Sequence, residues 1–274
     1  MDREAIKLIQ ESAIDASTSR IPGDFEDRII ALPTDYALHD LERYADGRAR
    51  FRGALQTDSL ADFTGYIKQR REHDGGSAFP GFVNAEKLAA TVYFNLGSSA
   101  SPGHADDLAT LALKPSAPYA GMLAVNGRPM PQKDAIDWLE DWAEHVRFFV
   151  HDGVEVSPSA AVTSLRKITI KSTTEATSSQ EDFRATRSAL EDVEARGASH
   201  LPTELHFTCT PYAGLPSRTF RLRLAVLTSG DKPQLVLRVR NLEAEKEAIA
   251  QDFKRALLSE LEGVATLTIG TFTP

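Results

Sequence analysis

The clearest pattern in the chain is a strict alternation near its C-terminal end. Phe220, Leu222, Leu224 and Val226 are separated by Arg221, Arg223 and Ala225. After a short polar break, Leu235, Leu237 and Val239 are separated by Val236 and Arg238, and Arg240 follows. A period of two marks a strand with one face in a core and the other in solvent. The break, "TSGDKP", is a loop composition, so the two runs are expected to form an antiparallel hairpin. Aligning the apolar faces places Arg223 opposite Arg238 and Arg221 opposite Arg240, because a slip of one residue would bury arginines.

Further strands are read in "RARFRGALQT" (48–57), "AATVYFNL" (89–96), "DLATLALK" (107–114), "TELHFTCT" (203–210) and "VATLTIGTF" (264–272). Helical spacing appears in residues 2–16, where Ile6, Ile9, Ala13 and Ala16 share a face. It recurs in "DSLADFTGYIKQRRE", with Leu60, Phe63 and Ile67 inward and Asp58 or Ser59 as cap. "APYAGMLAVNG" reads as a short helix, and "PQKDAIDWLEDWAEHVRFF" as one long helix from Pro131. Ile136, Leu139, Ala143 and Val146 form its apolar stripe, widened by Trp138 and Trp142. The longest helix has Asn241 as its N-cap and Gly263 just past its end, and turns Leu242, Ile249, Phe253, Leu257 and Leu261 inward. "IIALP" reads as a strand, and "TDYALHDLERYADG" and "ATRSALEDVEARG" as helices. "SPSAAVTSLRKITIKST" reads as a helix joined to a strand. "HDGGSAFPGFVN" and the Ser-, Thr- and Glu-rich residues 171–185 read as loops.

Strands and helices mix without the regular alternation of a doubly wound sheet. The expected class is α+β: a mainly antiparallel sheet with packed helices, and a long C-terminal helix followed by a final strand. Without an internal repeat or a low-complexity linker, residues 1–274 are expected to form a single domain. The amphipathic helix 2–16 is a possible assembly arm.

Charge changes this picture. The chain of 274 residues carries 31 basic and 39 acidic side chains, a formal net charge of -8. Such a surface binds nucleic acid poorly as a whole, although a local basic patch remains compatible with it. Four of the arginines, Arg221, Arg223, Arg238 and Arg240, fall on one face of the hairpin. Like charges directly opposite are destabilising, so something negative is expected over that face. Carboxylates of the acidic helix 242–262, the acidic surface of a neighbouring subunit, or phosphate would each serve. Arg48, Arg50 and Arg52 form a second stripe open to the same explanations. Arginine suits bidentate carboxylate or phosphate pairing better than lysine does. No aromatic interleaves with these positions, since Phe51 and Phe220 fall on the opposite faces.

The segment "GHADD" raises the question of catalysis. His104 with Asp106 and Asp107 supplies nitrogen and oxygen ligands suited to a metal, but a third ligand must come from elsewhere, with Glu144 or His145 the best remote choices. The alternative is a structural turn made by Gly103, in which Asp106 accepts backbone N–H groups and His104 is hydrogen-bonded. Phosphate-loop, dinucleotide-binding and nucleophile-elbow patterns are absent from the sequence. The single cysteine, Cys209, lies in a strand pattern and reads as a small core residue. One cysteine, no apolar run of membrane-spanning length and no signal-peptide order at the start lead to an expected cytoplasmic setting. No cofactor and no membrane partner are expected.

Taken together, "RARFRGALQTDSLADF", "FNLGSSASPGHADDLATLALK", "IDWLEDW" and "IGTF" resemble the YfdQ-type proteins carried by prophages of enteric bacteria, over essentially the whole chain. The resemblance implies a phage origin and carries no catalytic residues over. The expected function is therefore non-enzymatic: a self-assembling, prophage-derived cytoplasmic protein whose partner is itself, forming a homo-oligomeric ring or shell. A nucleic-acid-binding accessory protein of phage DNA metabolism is the first alternative. A metal-dependent hydrolase using the His104–Asp106 loop is the second.

Overall fold

The computed structural model describes residues 2–18, 44–48, 50–74, 77–168, 201–227 and 233–274. The strand expected at 29–33, most of the helix at 34–47, the strand after residue 168, the loop 171–185 and the helix 185–197 lie outside the described residues. Two compact units are distinguished, residues 1–50 and 51–274. In the first, α1 (Arg3–Thr18) keeps Ile6, Leu8 and Ile9 exposed.

The second unit contains two sheets on one hydrophobic core. The five-stranded sheet has the order β1-β4-β3-β2-β11, with β1 (Gly53–Thr57), β2 (Phe79–Asn84), β3 (Ala89–Tyr93), β4 (Asp107–Ala112) and β11 (Ala265–Ile269). Its centre is antiparallel, but β1 runs parallel to β4 and β11 parallel to β2. The six-stranded sheet is antiparallel throughout, in the order β5-β10-β9-β8-β6-β7. It uses β5 (Pro129–Pro131), β6 (Val146–Phe149), β7 (Glu155–Val156), β8 (Glu204–Cys209), β9 (Arg218–Leu227) and β10 (Gln234–Val239). The helices of this unit are α2 (Leu60–Asp74), α3 (Ala117–Val125), α4 (Gln132–Asp141), α5 (Pro158–Arg166) and α6 (Leu242–Glu260). The class is α+β, with the long C-terminal helix leading into the last strand. Among the described residues no helix is long and apolar enough to cross a membrane.

Local sequence explains most of these boundaries. The Ser59 hydroxyl accepts the Asp62 N–H and caps α2. Ser116 and Ser157 cap α3 and α5, each followed by a proline in the first turn. Asn241 precedes α6 as expected, but with a positive φ of 52° and no side-chain cap bond.

Three expectations are corrected. The helix read over 131–149 stops at Asp141, passes through a 3-10 turn, and becomes β6, because Val146 and Phe148 alternate with Arg147 and Phe149. The supposed loop "FPGFVN" is β2, a strand with Phe79, Gly81 and Val83 buried. Gly81 allows close packing there: a Cβ would lie 2.6 Å from Leu267 Cδ2 and 3.0 Å from Val92 Cγ2, so those side chains would have to shift. Arg50, Phe51 and Arg52 are not strand, since β1 begins only at Gly53 and Phe51 is exposed.

The inner face of the six-stranded sheet supplies much of the core. Phe148, Phe207, Phe220, Leu222 and Leu237 are fully buried there. Each such side chain contributes roughly 1.5–3 kcal/mol through burial. Trp138 of α4 stacks on Phe207 at 5.7 Å between ring centroids, and Tyr119 of α3 meets Phe220 at 5.3 Å. Helices α3 and α4 therefore lie on the inner side, and the arginines point the other way.

Candidate functional site

The outer face of the six-stranded sheet gathers the charged positions of four strands. Arg238, Arg223, Glu204 and Phe149 stand directly opposite one another across β10, β9, β8 and β6, with Glu155 of β7 beyond. In the adjacent row Arg221 faces His206, and His206 faces Arg147. Arg240 continues this row, its N–H donating to the Arg221 carbonyl at 2.8 Å. Strands lie about 4.8 Å apart, so the row from Arg240 to Arg147 spans about 14 Å. The expected pairing of the arginines is thus observed, and β8 and β6 extend it.

Arg147, Arg221, Arg238 and Arg240 are exposed and Arg223 is half-buried. Arg147 and Arg240 draw their counter-charge from within the sheet. Glu204 lies 3.1 Å from Arg240 and 2.9 Å from His206 Nε2. Glu155 lies 2.9 Å from Arg147. Among the described residues Arg221 and Arg238 make no ion pair. The acidic helix does not reach this face. Glu245 and Asp252 of α6 instead hold Arg218, at 3.1 and 2.6 Å, where the side chain of Arg218 is only 21% exposed. Sequence reasoning missed Arg147, His206 and Glu204, which sit on strands remote from the hairpin. It also missed Phe149, whose ring lies 4.1 Å from that of His206 on the same face.

A complementary surface lies on the other side of this layer. Asp134, Asp137, Asp141 and Glu144 are exposed along α4 and the turn after it. Their spacing of three and four residues makes one ridge pointing away from the buried Ala135, Ile136 and Leu139. Among the described residues none of the four makes an ion pair. Glu140, beside the ridge, is held by Arg166 at 2.6 Å.

The carboxylates of the "GHADD" loop are engaged by neighbouring side chains. The Asn95 Nδ2 donates to the Asp106 carboxylate at 2.8 Å, and the Asp107 N–H donates to Asn95 Oδ1 at 3.0 Å. Asp106 thus accepts a side-chain amide N–H. The Asp107 carboxylate is buried and lies 2.6 Å from the Arg70 guanidinium. That guanidinium sits over the rings of Phe51 and Phe94, at 4.5 and 4.8 Å. His104 is exposed. His145 donates from Nδ1 to the Thr208 carbonyl at 2.8 Å, on the other sheet, and Glu144 is exposed beside it. The structure does not bring these residues together with His104 and Asp106, and among the described residues no group of three His, Cys, Asp or Glu side chains is placed to hold a metal. Arg52 precedes β1 in the five-stranded sheet, and Arg48 and Arg50 belong to the first unit. Cys209 is buried, and desolvation pushes its thiol up to about 11.

With this geometry in view, the chain belongs to the family of uncharacterized conserved proteins DUF2303, whose family model matches residues 2–272. No curated protein and no solved structure matches it.

Proposed function

We propose, taking this family membership together with the charge distribution, that the chain is a non-enzymatic, self-assembling protein of prophage origin. It works in the cytoplasm, and its copies associate head to tail into a homo-oligomeric ring or shell. One observation carries the reading: a cationic sheet face and an anionic helical ridge lie on opposite sides of one sheet-and-helix layer. Arg221 and Arg238 make no ion pair among the described residues, and carboxylates brought over them would relieve the repulsion on that face. The Asp134–Glu144 ridge of a second copy supplies those carboxylates in a form that guanidinium groups pair with well.

The two surfaces are different patches, so the contact is heterologous. Such contacts propagate until a rotation closes them, which is how rings arise. The exposed Ile6 and Ile9 of α1 add an apolar contact that suits an assembly arm. The resemblance to YfdQ-type proteins supports the prophage origin. A hydrolase built on His104 and Asp106 has weaker support, because the loop carboxylates are engaged by Asn95 and Arg70.

The test is the native mass of the untagged protein at low and at high salt. A discrete multiple of the monomer mass that falls as salt rises is the expected result. A monomer at micromolar concentration in low salt overturns the reading.

A further inference from the structure

The cationic face has a feature that a neighbour's carboxylates do not use. Phe149 is half-buried on the outer face, directly opposite Glu204, with its ring against the His206 imidazole. A phenylalanine serving only as core would lie on the inner face with Phe148. On the outer face it places an aromatic surface beside a row of basic side chains. Arg240, Arg221, His206 and Arg147 run along that row. The hydroxyls of Thr208 and Thr219, 2.9 Å apart, are exposed at its flank.

We infer that this face is a binding site for single-stranded nucleic acid, with the phosphates along the arginine row and a base stacked at Phe149 and His206. The inference goes beyond self-assembly and stands without it. The face favours a single strand over a duplex for a geometric reason. A ring lying on a sheet face is reachable only by a base that is not already stacked in a helix. Stacking accepts any base, so little sequence preference is expected.

Charge sets the strength. Among the described residues Arg221 and Arg238 make no ion pair, while Glu204 is taken by Arg240 and His206 and Glu155 by Arg147. Phosphate contacts at these two arginines predict a log–log salt slope of about -1.4 for a single strand. The acidic ridge of a neighbouring copy would compete for the same arginines.

The experiment is fluorescence anisotropy of a labelled oligothymidylate titrated with the full chain at about 50 mM salt. Four proteins are compared: wild type, Phe149→Leu, Phe149→Tyr, and the ridge variant Asp137→Lys/Asp141→Lys. Wild type and Phe149→Tyr are expected to bind alike. Phe149→Leu is expected to bind about tenfold more weakly, with its native mass unchanged. The ridge variant is expected to bind at least as tightly as wild type, because its cationic face is uncovered. No binding by the ridge variant at low salt overturns the inference. So does equal binding by Phe149→Leu, or a duplex that competes as well as the single strand. Should Phe149→Leu melt early, Arg221→Glu/Arg238→Glu, both on exposed positions, must abolish binding for the inference to hold. A monomeric wild type that binds the oligonucleotide refutes assembly alone. An assembled wild type whose ridge variant does not bind refutes this site alone.

Discussion

Arg223 on β9 stands directly opposite Arg238 on β10. The next position in their row is Glu204, whose oxygens lie on Arg240 and His206. An isolated chain pays for this arrangement in stability, since opposed like charges on neighbouring strands are unfavourable by a few tenths of a kcal/mol to about 1 kcal/mol. Retaining it makes physical sense when the face works against an anion.

That cost has a measurable consequence. Arg238→Glu places an opposite charge across from Arg223 and should raise the stability of the monomer by roughly 0.2–1 kcal/mol. The same substitution should abolish self-association. Urea denaturation at high salt, where the protein is monomeric, gives the first quantity, and native mass at low salt gives the second. A destabilised monomer contradicts this reading of the face.

The "GHADD" loop is expected to matter through its backbone and its buried acid, with His104 dispensable. A Cβ at residue 103 would overlap the Asn95 carbonyl oxygen, so Gly103→Ala should cost about 1–3 kcal/mol. His104 is exposed, and His104→Ala should stay within about 0.5 kcal/mol. Thermal melts of the two variants decide this, and the reverse order of damage would restore the histidine as the important group.

The Arg70–Asp107 pair is predicted to behave as a buried ion pair. Asp107 has a side chain only 4% exposed and Arg70 17%. Removing one partner strands the other charge, so Asp107→Asn or Arg70→Met should cost about 3–5 kcal/mol. Replacing both at once should cost less than the sum of the two single changes, and a double-mutant cycle in urea tests this.

Alkaline pH should destabilise the fold in a defined window. Burial pushes Cys209 from 9.0 up to about 11, and burial followed by the charge of Tyr212 pushes Tyr119 from 10.0 up to about 12. Both groups are neutral when protonated, and folding favours that neutral form. The unfolded chain therefore loses these protons first, so stability is constant below pH 9 and falls between about 9 and 12. Urea midpoints measured from pH 8 to 11 should decline only above 9, and a decline beginning at pH 8 would point to other groups.

How much of this was legible depended on distance along the chain. The β9–β10 register followed from the alternation of Phe220–Val226 with Leu235–Val239, because a slip would bury arginines. The parallel pairs β1–β4 and β2–β11 were not legible, since parallel partners are joined by long crossovers and their residues carry no local mark of each other. For the same reason the hairpin gave no sign that Arg147, His206 and Phe149 would join it from β6 and β8. Pro80 and Gly81 read as loop punctuation, yet Gly81 serves close packing under Leu267 and Val92. Arg50, Phe51 and Arg52 alternate as a strand should, but they lie ahead of β1, so their periodicity had no sheet to express it.

The head-to-tail contact is tested most directly by mixing two damaged copies. Arg221→Glu/Arg238→Glu removes the cationic face and keeps the ridge. Asp137→Lys/Asp141→Lys removes the ridge and keeps the face. Each variant alone should be monomeric by native mass spectrometry at low salt, and an equimolar mixture should form complexes containing both variants in equal number. Monomers in the mixture, or assembly by either variant alone, would contradict a contact between these two surfaces.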